Sequence, residues 1–230
     1  MNYGHSAVAA SAYRSRCRLL DWKTGIVHNY THKHDLYQSY ILCPPHTPEL
    51  LFDREVLWNT IGKIESRKNS QIGREIEVSI PRVFSPELAV SVVSDFSKSM
   101  LVSRGLIVDV AFHGMKSNNP HAHLLFTTRS ILNNGFFGSK DRDLYKKDFL
   151  VGCRKAWEEC CNRSIDMLGL SHLRISCESY SSRGIEKTPQ LHMGGMDHKL
   201  WKEKGEITKK NAQYVVDELT VEIINLEKMR

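Results

Sequence analysis

The chain has 230 residues, of which 41% are hydrophobic and 25% charged, and it carries a net charge of +6 at pH 7. These values are typical of one good-sized soluble domain, with or without a tail, and they argue against an intrinsically disordered chain. No apolar run approaches the roughly 18 residues that a membrane span needs, so we expect no membrane insertion. The excess of basic residues favours a polyanionic partner.

The beginning of the chain and its cysteines indicate a cellular compartment. Residues 1–6 lack the basic region and apolar core of a signal peptide. The six cysteines form no Cys-x-x-Cys pair, and a chain of this size does not need disulfides. We therefore expect a cytoplasmic protein with reduced thiols. The chain has no phosphate-binding glycine motif, so nothing in it suggests nucleotide hydrolysis.

Helical and strand patterns alternate along the chain. Helices are predicted where apolar residues recur at helical spacing between capping residues and stops, over residues 6–20, 53–67, 85–103 and 144–168. Strands are predicted where apolar and polar residues alternate, over residues 36–43 and 72–80 and on both sides of the turn at 115–120. We interpret residues 28–34 and 133–142 as loops. This order predicts an α+β fold with a mostly antiparallel sheet, helices against one face and the other face open as a site.

The stretch from Asp109 to Thr128 carries the densest chemistry. His113 ends the first strand of the predicted hairpin, and His121 and His123 begin the second. Because residues i and i+2 of a strand point to the same face, His121 and His123 project together, and the partner strand can add His113. Three neutral imidazoles form a divalent-metal site with open positions, and imidazole suits zinc, nickel and manganese better than magnesium. From these residues alone, ordinary surface or core histidines are an equally good interpretation.

Two further groups of residues have both a functional and a structural interpretation. Tyr13 lies on the alanine-rich first helix beside Arg14 and Arg16. Such a tyrosine most often packs, but neighbouring arginines that can hold phosphates favour a functional role. Glu75 and Glu77 share one face of the strand at 72–80. They form either a solvated face or a carboxylate pair that takes a proton or supports a metal.

Four blocks of the sequence occur in a recognisable order. They are residues 6–15 around Tyr13, residues 53–58 with 74–81, residues 109–113 with 119–123, and residues 183–186 with Pro189 and 192–194. Together these blocks resemble the relaxase domain of the MobA/MobL family, the plasmid-mobilisation nucleases of the HUH superfamily. The resemblance covers about residues 6–195, and the histidine block is its most specific part.

The resemblance implies site- and strand-specific nicking and rejoining of single-stranded DNA at the origin of transfer of a plasmid or mobile element. Tyr13 would be the nucleophile and would form a 5′-phosphotyrosine, with Glu77 or Glu75 taking its proton. His113, His121 and His123 would hold Mg²⁺ or Mn²⁺. Asp109 would orient a ligand imidazole as a hydrogen-bond acceptor. The residues expected to hold DNA phosphates are Arg14, Arg16, Lys63, Arg67 and Lys68.

The resemblance also implies an architecture. We expect a relaxase palm, a central antiparallel sheet flanked by helices, within residues 1–198, followed by a charged linker and a C-terminal helix over 199–230. Family members usually have a further strand ahead of the tyrosine helix, and here only residues 1–5 precede Ser6. We therefore expect a sheet without that strand, and a chain that binds metal and DNA but nicks poorly. Residues 176–178 also depart from the Asp-His-Arg run that the family often has.

The expected partners are single-stranded DNA at an origin of transfer, accessory mobilisation proteins and a type IV coupling protein. Three other functions remain open: a non-catalytic DNA-binding remnant, a rolling-circle replication initiator, and a His-x-His metalloenzyme that acts on a small molecule. A covalent protein–DNA adduct would separate the nicking enzyme from the DNA-binding remnant and from the small-molecule metalloenzyme. The context of the gene would separate it from the replication initiator.

Overall fold

The computed structural model describes residues 6–65, 67, 70–186, 200 and 203–204. The chain divides into one unit of residues 1–175 and another of residues 176–230. In the second unit, the described residues 176–186 form backbone turns, such as the one closed by the Ile185 N–H and the Tyr180 carbonyl at 2.9 Å. The predicted boundary at 198 and the missing first strand lie outside the described residues. The linker and helix over 199–230 lie outside them too, apart from residues 200, 203 and 204, so all of these features remain predictions.

The first unit contains the following helices and strands among its described residues. The helices are α1 (Ala7–Ser15), α2 (Arg54–Ile64), α3 (Pro86–Met100) and α4 (Lys147–Met167). The strands are β1 (Arg18–Leu20), β2 (Val27–Asn29), β3 (Leu36–Leu42), β4 (Gly73–Ser79), β5 (Val108–His113), β6 (His121–Thr127), β7 (Arg129–Ile131) and β8 (Phe137–Lys140). No helix in the described part of the chain is long and apolar enough to cross a membrane.

Four of these strands form the central sheet, in the order β3-β5-β6-β4, and every neighbouring pair is antiparallel. The β5–β6 hairpin occupies the middle, and β3 and β4 are the edges. The predicted α+β class and mostly antiparallel sheet are therefore confirmed. Helices cover both faces of this sheet. The expectation that helices cover one face alone is wrong, because α1 and α2 pack on part of the face that carries the histidines.

The first helix is shorter than predicted. Ser6 accepts a hydrogen bond from the Ala9 N–H and caps the helix as expected. At the other end Arg16 adopts a left-handed backbone, with φ at 53°, so the helix ends there instead of at Leu20. The following residues form the β1–β2 hairpin. The interpretations of residues 28–34 and 133–142 as loops are also wrong in part. β2 covers residues 28 and 29, and β8 lies within the second stretch and pairs with β7.

Two clusters of apolar side chains hold the layers together. On one face, Val110, Phe112, Leu124 and Phe126 pack against α3 and α4. On the other face, Ile107 and Leu125 pack with Trp58 of α2 and Ala12 of α1. The second cluster lies toward one end of β5 and β6, and the three histidines lie at the other end of the same face. The packing of α1 therefore brings its C-terminal end toward the histidines.

Candidate metal and nucleophile site

The register of the sheet brings three histidines together. His113 on β5 is directly opposite His121 on β6, and His123 is opposite Ala111 on β5 and Glu77 on β4. Since residues i and i+2 share a face, all three imidazoles project to the side of α1. One nitrogen from each ring lies within 4.8 Å of the others. The ring centres are 5.1–5.6 Å apart.

The turn between the two strands depends on a glycine. Gly114 follows His113 with φ at 63°, in the region that glycine adopts most easily. A Cβ placed there would lie 2.6 Å from the Asn119 carbonyl oxygen. The absence of a side chain therefore lets the ends of β5 and β6 approach, which is what places His113 beside His121.

His113 is the buried member of the cluster, at 2% exposure. Its Nε2 lies 2.7 Å from the Arg14 carbonyl oxygen, and its Nδ1 lies 3.1 Å from Nη2 of Arg16 and 3.4 Å from Asp35. A carbonyl only accepts and a guanidinium only donates, so these contacts fit a neutral ring with its proton on Nε2. Burial lowers the pKa of His113, and the hydrogen bond to Arg14 opposes this shift without cancelling it.

His121 and His123 are held in the orientation that metal-ligating histidines usually have. Nδ1 of His123 lies 2.8 Å from Oε1 of Glu75, and Nδ1 of His121 lies 2.8 Å from the Asn119 carbonyl oxygen. A proton on each Nδ1 satisfies these acceptors and leaves each Nε2 lone pair for a cation. Nitrogen ligands lie about 2.1 Å from a bound ion, so two of them are at most about 4.2 Å apart. The three histidine nitrogens lie within 4.8 Å of one another, so the rings would rotate inward by roughly half an ångström to bind one ion. The donor set fits a divalent metal.

Glu75 is bound on two sides. It forms a two-point ion pair with the Arg14 guanidinium as well as its contact with His123. Burial would raise the pKa of Glu75, but the hydrogen bonds from His123 and Arg14 outweigh burial and hold its pKa at about 2. A carboxylate with so low a pKa is a weak base. The geometry therefore favours a role for Glu75 in orienting His123 over the predicted proton transfer. Glu77 is 59% exposed and lies 3.9 Å from the same ring.

Asp109 does not contact an imidazole in the described part of the chain. The carboxylate is buried, and it accepts hydrogen bonds from Ser11 at 2.5 Å, Arg54 at 2.8 Å and Trp58 at 3.1 Å. The prediction placed it on the correct face of β5 but overlooked α1 and α2, which reach this carboxylate first. Asp109 thus joins both helices to the sheet. Among the described residues, the carboxylates within hydrogen-bond distance of the histidines are Glu75 and Asp35.

Tyr13 lies on α1 with 40% of its surface exposed. The Lys33 ammonium lies 4.3 Å and the Arg16 guanidinium 4.5 Å from the centre of its ring. The hydrogen bond from Lys33 is the main cause that lowers the pKa of Tyr13, with the charges of Lys33 and Arg16 adding to it against the opposing effect of burial. The hydroxyl is thus easier to deprotonate than an ordinary phenol. Tyr30 packs edge-to-face on the same ring at 5.2 Å.

A cleft of about 590 Å³ opens beside Tyr13. It runs between α1 and β4, an edge strand of the described sheet. Its walls hold three tyrosines together with charged and amide side chains, including Tyr13, Tyr30, Tyr145, Arg14, Arg74, Glu75 and Gln71. An open groove with aromatic rings and cations has the features of a single-strand nucleic-acid channel.

The basic residues predicted to contact DNA fall into three groups. Arg14 and Arg16 lie at the site, but both are paired, with Glu75 and with Asp35. Lys63 and Arg67 are exposed at the end of α2, outside the walls of the cleft. Lys68 lies outside the described residues.

Sequence reasoning missed the site residues Lys33, Asp35, Arg74 and Tyr145. Lys33 belongs to the stretch interpreted as loop and Asp35 directly follows it, and contacts with Tyr13 and Arg16 bring them to the site. Arg74 directly precedes Glu75 on the predicted strand, where alternation assigns it to the opposite face.

Comparisons with known proteins agree with this fold. A sequence model of the MobA/MobL family matches residues 5–203. A solved structure from a study of the molecular basis of vancomycin resistance transfer in Staphylococcus aureus superposes with a TM-score of 0.72. The two chains are 37% identical, and the aligned part covers 77% of this chain and 93% of the solved chain.

Two curated relatives are similar at lower identity. A probable conjugal transfer protein TraA of Sinorhizobium fredii is 27% identical over 83% of this chain, and a mobilization protein MobL of Acidithiobacillus ferridurans is 26% identical over 92%. The chain spans 20% of the length of that TraA and 64% of the length of that MobL.

Proposed function

The chain belongs to the MobA/MobL family, and from this premise we propose that it nicks and rejoins one strand of DNA at an origin of transfer during conjugative mobilisation. The proposed substrate is single-stranded DNA in the cytoplasm. Accessory mobilisation proteins and a type IV coupling protein are the proposed partners. The relatives named for conjugal transfer and mobilisation support this reaction class.

Tyr13 is the proposed nucleophile. Its phenolic oxygen attacks the scissile phosphorus, so a tyrosine–phosphorus bond forms and the bond from phosphorus to the 3′ oxygen breaks. The products are a 5′-phosphotyrosine and a free 3′-hydroxyl, which receives the proton that the phenol gave up. The reaction conserves the number of phosphoester bonds, so the reverse attack by the 3′-hydroxyl rejoins the strand without ATP.

Lys33 and Arg16 assist the phenol in this proposal. An ordinary tyrosine, with a pKa near 10, is almost fully protonated at neutral pH. The lowered pKa of Tyr13, caused mainly by the hydrogen bond from Lys33, increases the phenolate fraction. With Glu75 occupied by Arg14 and His123, we assign its carboxylate to orientation of His123 and leave Glu77 as the exposed carboxylate near the site.

His113, His121 and His123 are the proposed ligands of a divalent ion, Mn²⁺ or Mg²⁺. Such an ion, when bound, neutralises the nonbridging oxygens of the scissile phosphate. The protein's part is to present the two Nε2 lone pairs of His121 and His123 through the hydrogen bonds at their Nδ1 atoms. His113 would complete the set from β5 through Nδ1, in place of the contact of that atom with Arg16.

One observation carries the proposal: Arg14, the residue next to Tyr13, contacts the histidine cluster twice. Its carbonyl accepts the hydrogen bond from Nε2 of His113, and its guanidinium pairs with Glu75, which contacts His123. The backbone that carries the nucleophile is thereby attached to two of the three proposed ligands. Such positioning is needed because a displacement of about one ångström can cost about a hundredfold in rate.

The test is adduct formation. The full chain is incubated with labelled single-stranded oligonucleotides from candidate origins of transfer, with Mn²⁺ or Mg²⁺, and denaturing gels are used to detect a protein–DNA band. We expect a band with the wild type. Tyr13→Phe keeps the ring and should abolish the band, while His123→Ala should abolish it but leave most single-strand binding. Tyr30→Phe is the matched control and should form the adduct.

Each outcome separates the alternatives. An adduct that survives in Tyr13→Phe moves the nucleophile to another tyrosine. Metal-dependent cleavage that is unchanged in His123→Ala removes the three-histidine proposal. DNA binding without an adduct at any origin would make the chain a non-catalytic DNA-binding protein.

A further inference from the structure

Arg74 has a charge that the fold does not use. It lies on β4, an edge strand of the sheet as described, and lines the cleft beside Tyr13. Its Nη1 is buried and makes no hydrogen bond within the described part of the chain. Other arginines of the first unit have carboxylate partners, namely Arg14, Arg16, Arg54, Arg104 and Arg129. A buried donor without a partner costs free energy, so the surroundings of Arg74 leave its guanidinium incompletely satisfied.

An internal carboxylate does not fill this role among the described residues. Glu75 follows Arg74 in the chain but is engaged by Arg14 and His123. Glu65, whose charge acts on the neighbouring Tyr145, is engaged by Arg129 at 2.7 Å and Lys140 at 3.0 Å. Arg74 therefore presents an unneutralised cation at the wall of the cleft.

Tyr145 fixes the position of this cation. The Arg74 guanidinium lies over the Tyr145 ring, 5.0 Å from its centre, in a cation–π contact. A guanidinium held by its flat face keeps its in-plane N–H groups free for the two oxygens of a phosphate. Tyr145 itself is 45% exposed, so part of its ring surface is open to the cleft.

We propose that Arg74 and Tyr145 form a nucleotide subsite for the single strand that Tyr13 attacks. Arg74 binds a backbone phosphate of that strand, and Tyr145 stacks on a base. This subsite rests on the function proposed above and extends it to the path of the DNA. Single-strand channels combine cations for the backbone with aromatic rings for the bases, and this pair supplies both from one wall of the cleft.

The subsite is tested by binding in the Tyr13→Phe background without metal, so that neither covalent chemistry nor the histidines contribute. The probe is a fluorescent oligodeoxythymidylate of about 20 nucleotides, longer than the roughly 4–16 nucleotides that single-strand grooves cover. A second probe has the same number of phosphates and no bases. Fluorescence anisotropy gives the dissociation constants at several salt concentrations.

We expect the two residues to respond differently. Arg74→Gln should weaken binding to both probes and lower the slope of log K against log salt by about 0.7, the value for one phosphate contact on a single strand. Arg74→Lys should retain the slope. Tyr145→Leu should weaken binding to the oligodeoxythymidylate by roughly tenfold through lost stacking, with no effect on the abasic probe. Tyr145→Phe should bind as the parent does.

Matched controls lie outside the cleft. Arg82→Gln removes an exposed charge beyond the end of β4, and Phe136→Leu removes a ring that is 72% exposed between β7 and β8. Thermal melts confirm that each variant is folded. The subsite is wrong if Tyr145→Leu binds like Phe136→Leu, or if Arg74→Gln keeps the salt slope of Arg82→Gln. The two proposals can fail separately. If the wild type forms no adduct but these binding effects are observed, the nicking function is overturned and the subsite stands.

Discussion

The His113 imidazole donates a hydrogen bond from Nε2 to the backbone carbonyl of Arg14 at 2.7 Å. Its other nitrogen faces the Arg16 guanidinium at 3.1 Å. The last turn of α1 thus contacts both nitrogens of the buried histidine. A cation bound at His113 has to replace one of these contacts, so metal binding and the end of α1 are coupled.

The first prediction concerns this coupling. Arg16→Ala should tighten Mn²⁺ binding by about tenfold, because a unit charge a few ångströms from a dication repels it by about 1–2 kcal/mol even in water. The same change frees Asp35, which pairs with Arg16 and lies 3.4 Å from His113. Titration calorimetry with Mn²⁺ measures the effect. Arg18→Ala, an exposed arginine on β1, is the control, and equal affinity in the two variants would contradict the coupling.

A second prediction separates the two carboxylates on the histidine face. Glu75→Gln should weaken Mn²⁺ binding by about 10- to 100-fold, because Glu75 orients His123. Asp109→Asn should leave the Mn²⁺ affinity nearly unchanged. It should instead lower the free energy of unfolding by about 3–5 kcal/mol, because the partly buried Arg54 loses its counter-charge.

Calorimetry and urea unfolding on both variants measure the two quantities. A large loss of metal affinity in Asp109→Asn, with stability retained, would restore the role expected from the sequence. A Glu75→Gln variant that binds Mn²⁺ like the wild type would show that His123 does not need its carboxylate partner.

The sequence predicted the parts of this site that follow from local periodicity. The convergence of His113, His121 and His123 follows from strand alternation across one hairpin, which is why it could be read from spacing alone. The partners of Glu75 and Asp109 depend on where α1 and α2 pack, since Arg14 is 61 residues from Glu75 and Ser11 is 98 residues from Asp109. No local pattern carries such distant pairings.

The two short hairpins were missed for a different reason. β1 and β2 have three residues each, and β8 has four. Strands of that length show too little alternation to separate them from loops. Lys33 follows the β1–β2 hairpin, so the contact that lowers the pKa of Tyr13 could not be predicted either.

A third prediction follows from that contact. Lys33→Met removes the hydrogen bond that is the main cause of the lowered pKa of Tyr13, so the pKa of Tyr13 should rise. At neutral pH the variant should hold less phenolate and form the DNA adduct more slowly. Because the phenolate forms again as the pH increases, the rate should approach that of the wild type at higher pH. Lys63→Met, at the exposed end of α2, is the control.

The shift can also be measured without DNA. Ultraviolet absorbance follows the ionisation of tyrosine, and the difference between each protein and its Tyr13→Phe counterpart isolates Tyr13. A Tyr13 that titrates at the same pH with and without Lys33 would remove the lysine from the proposed activation of the phenol.

The last prediction concerns stability against acid. The Glu65 side chain, 5% exposed at the end of α2, pairs with Arg129 of β7 at 2.7 Å and Lys140 of β8 at 3.0 Å. Burial would raise the pKa of Glu65, but the hydrogen bonds from Arg129 and Lys140 outweigh it, so the folded pKa lies below the unfolded value. The ion pairs therefore stabilise the fold fully above the unfolded pKa of about 4.3, and this stabilisation is lost as the pH falls through the folded pKa.

Glu65→Gln should lower the free energy of unfolding by about 3–5 kcal/mol at pH 7, because two cations remain beside a neutral, buried amide. As the pH falls below about 4, the wild type should lose stability faster than the variant, and the two curves should converge. Asp143→Asn is the control, since its pair with Lys146 is exposed and should contribute no measurable stability. Curves for Glu65→Gln and the wild type that stay parallel across this pH range would mean that the pKa of Glu65 is the same in the folded and the unfolded protein.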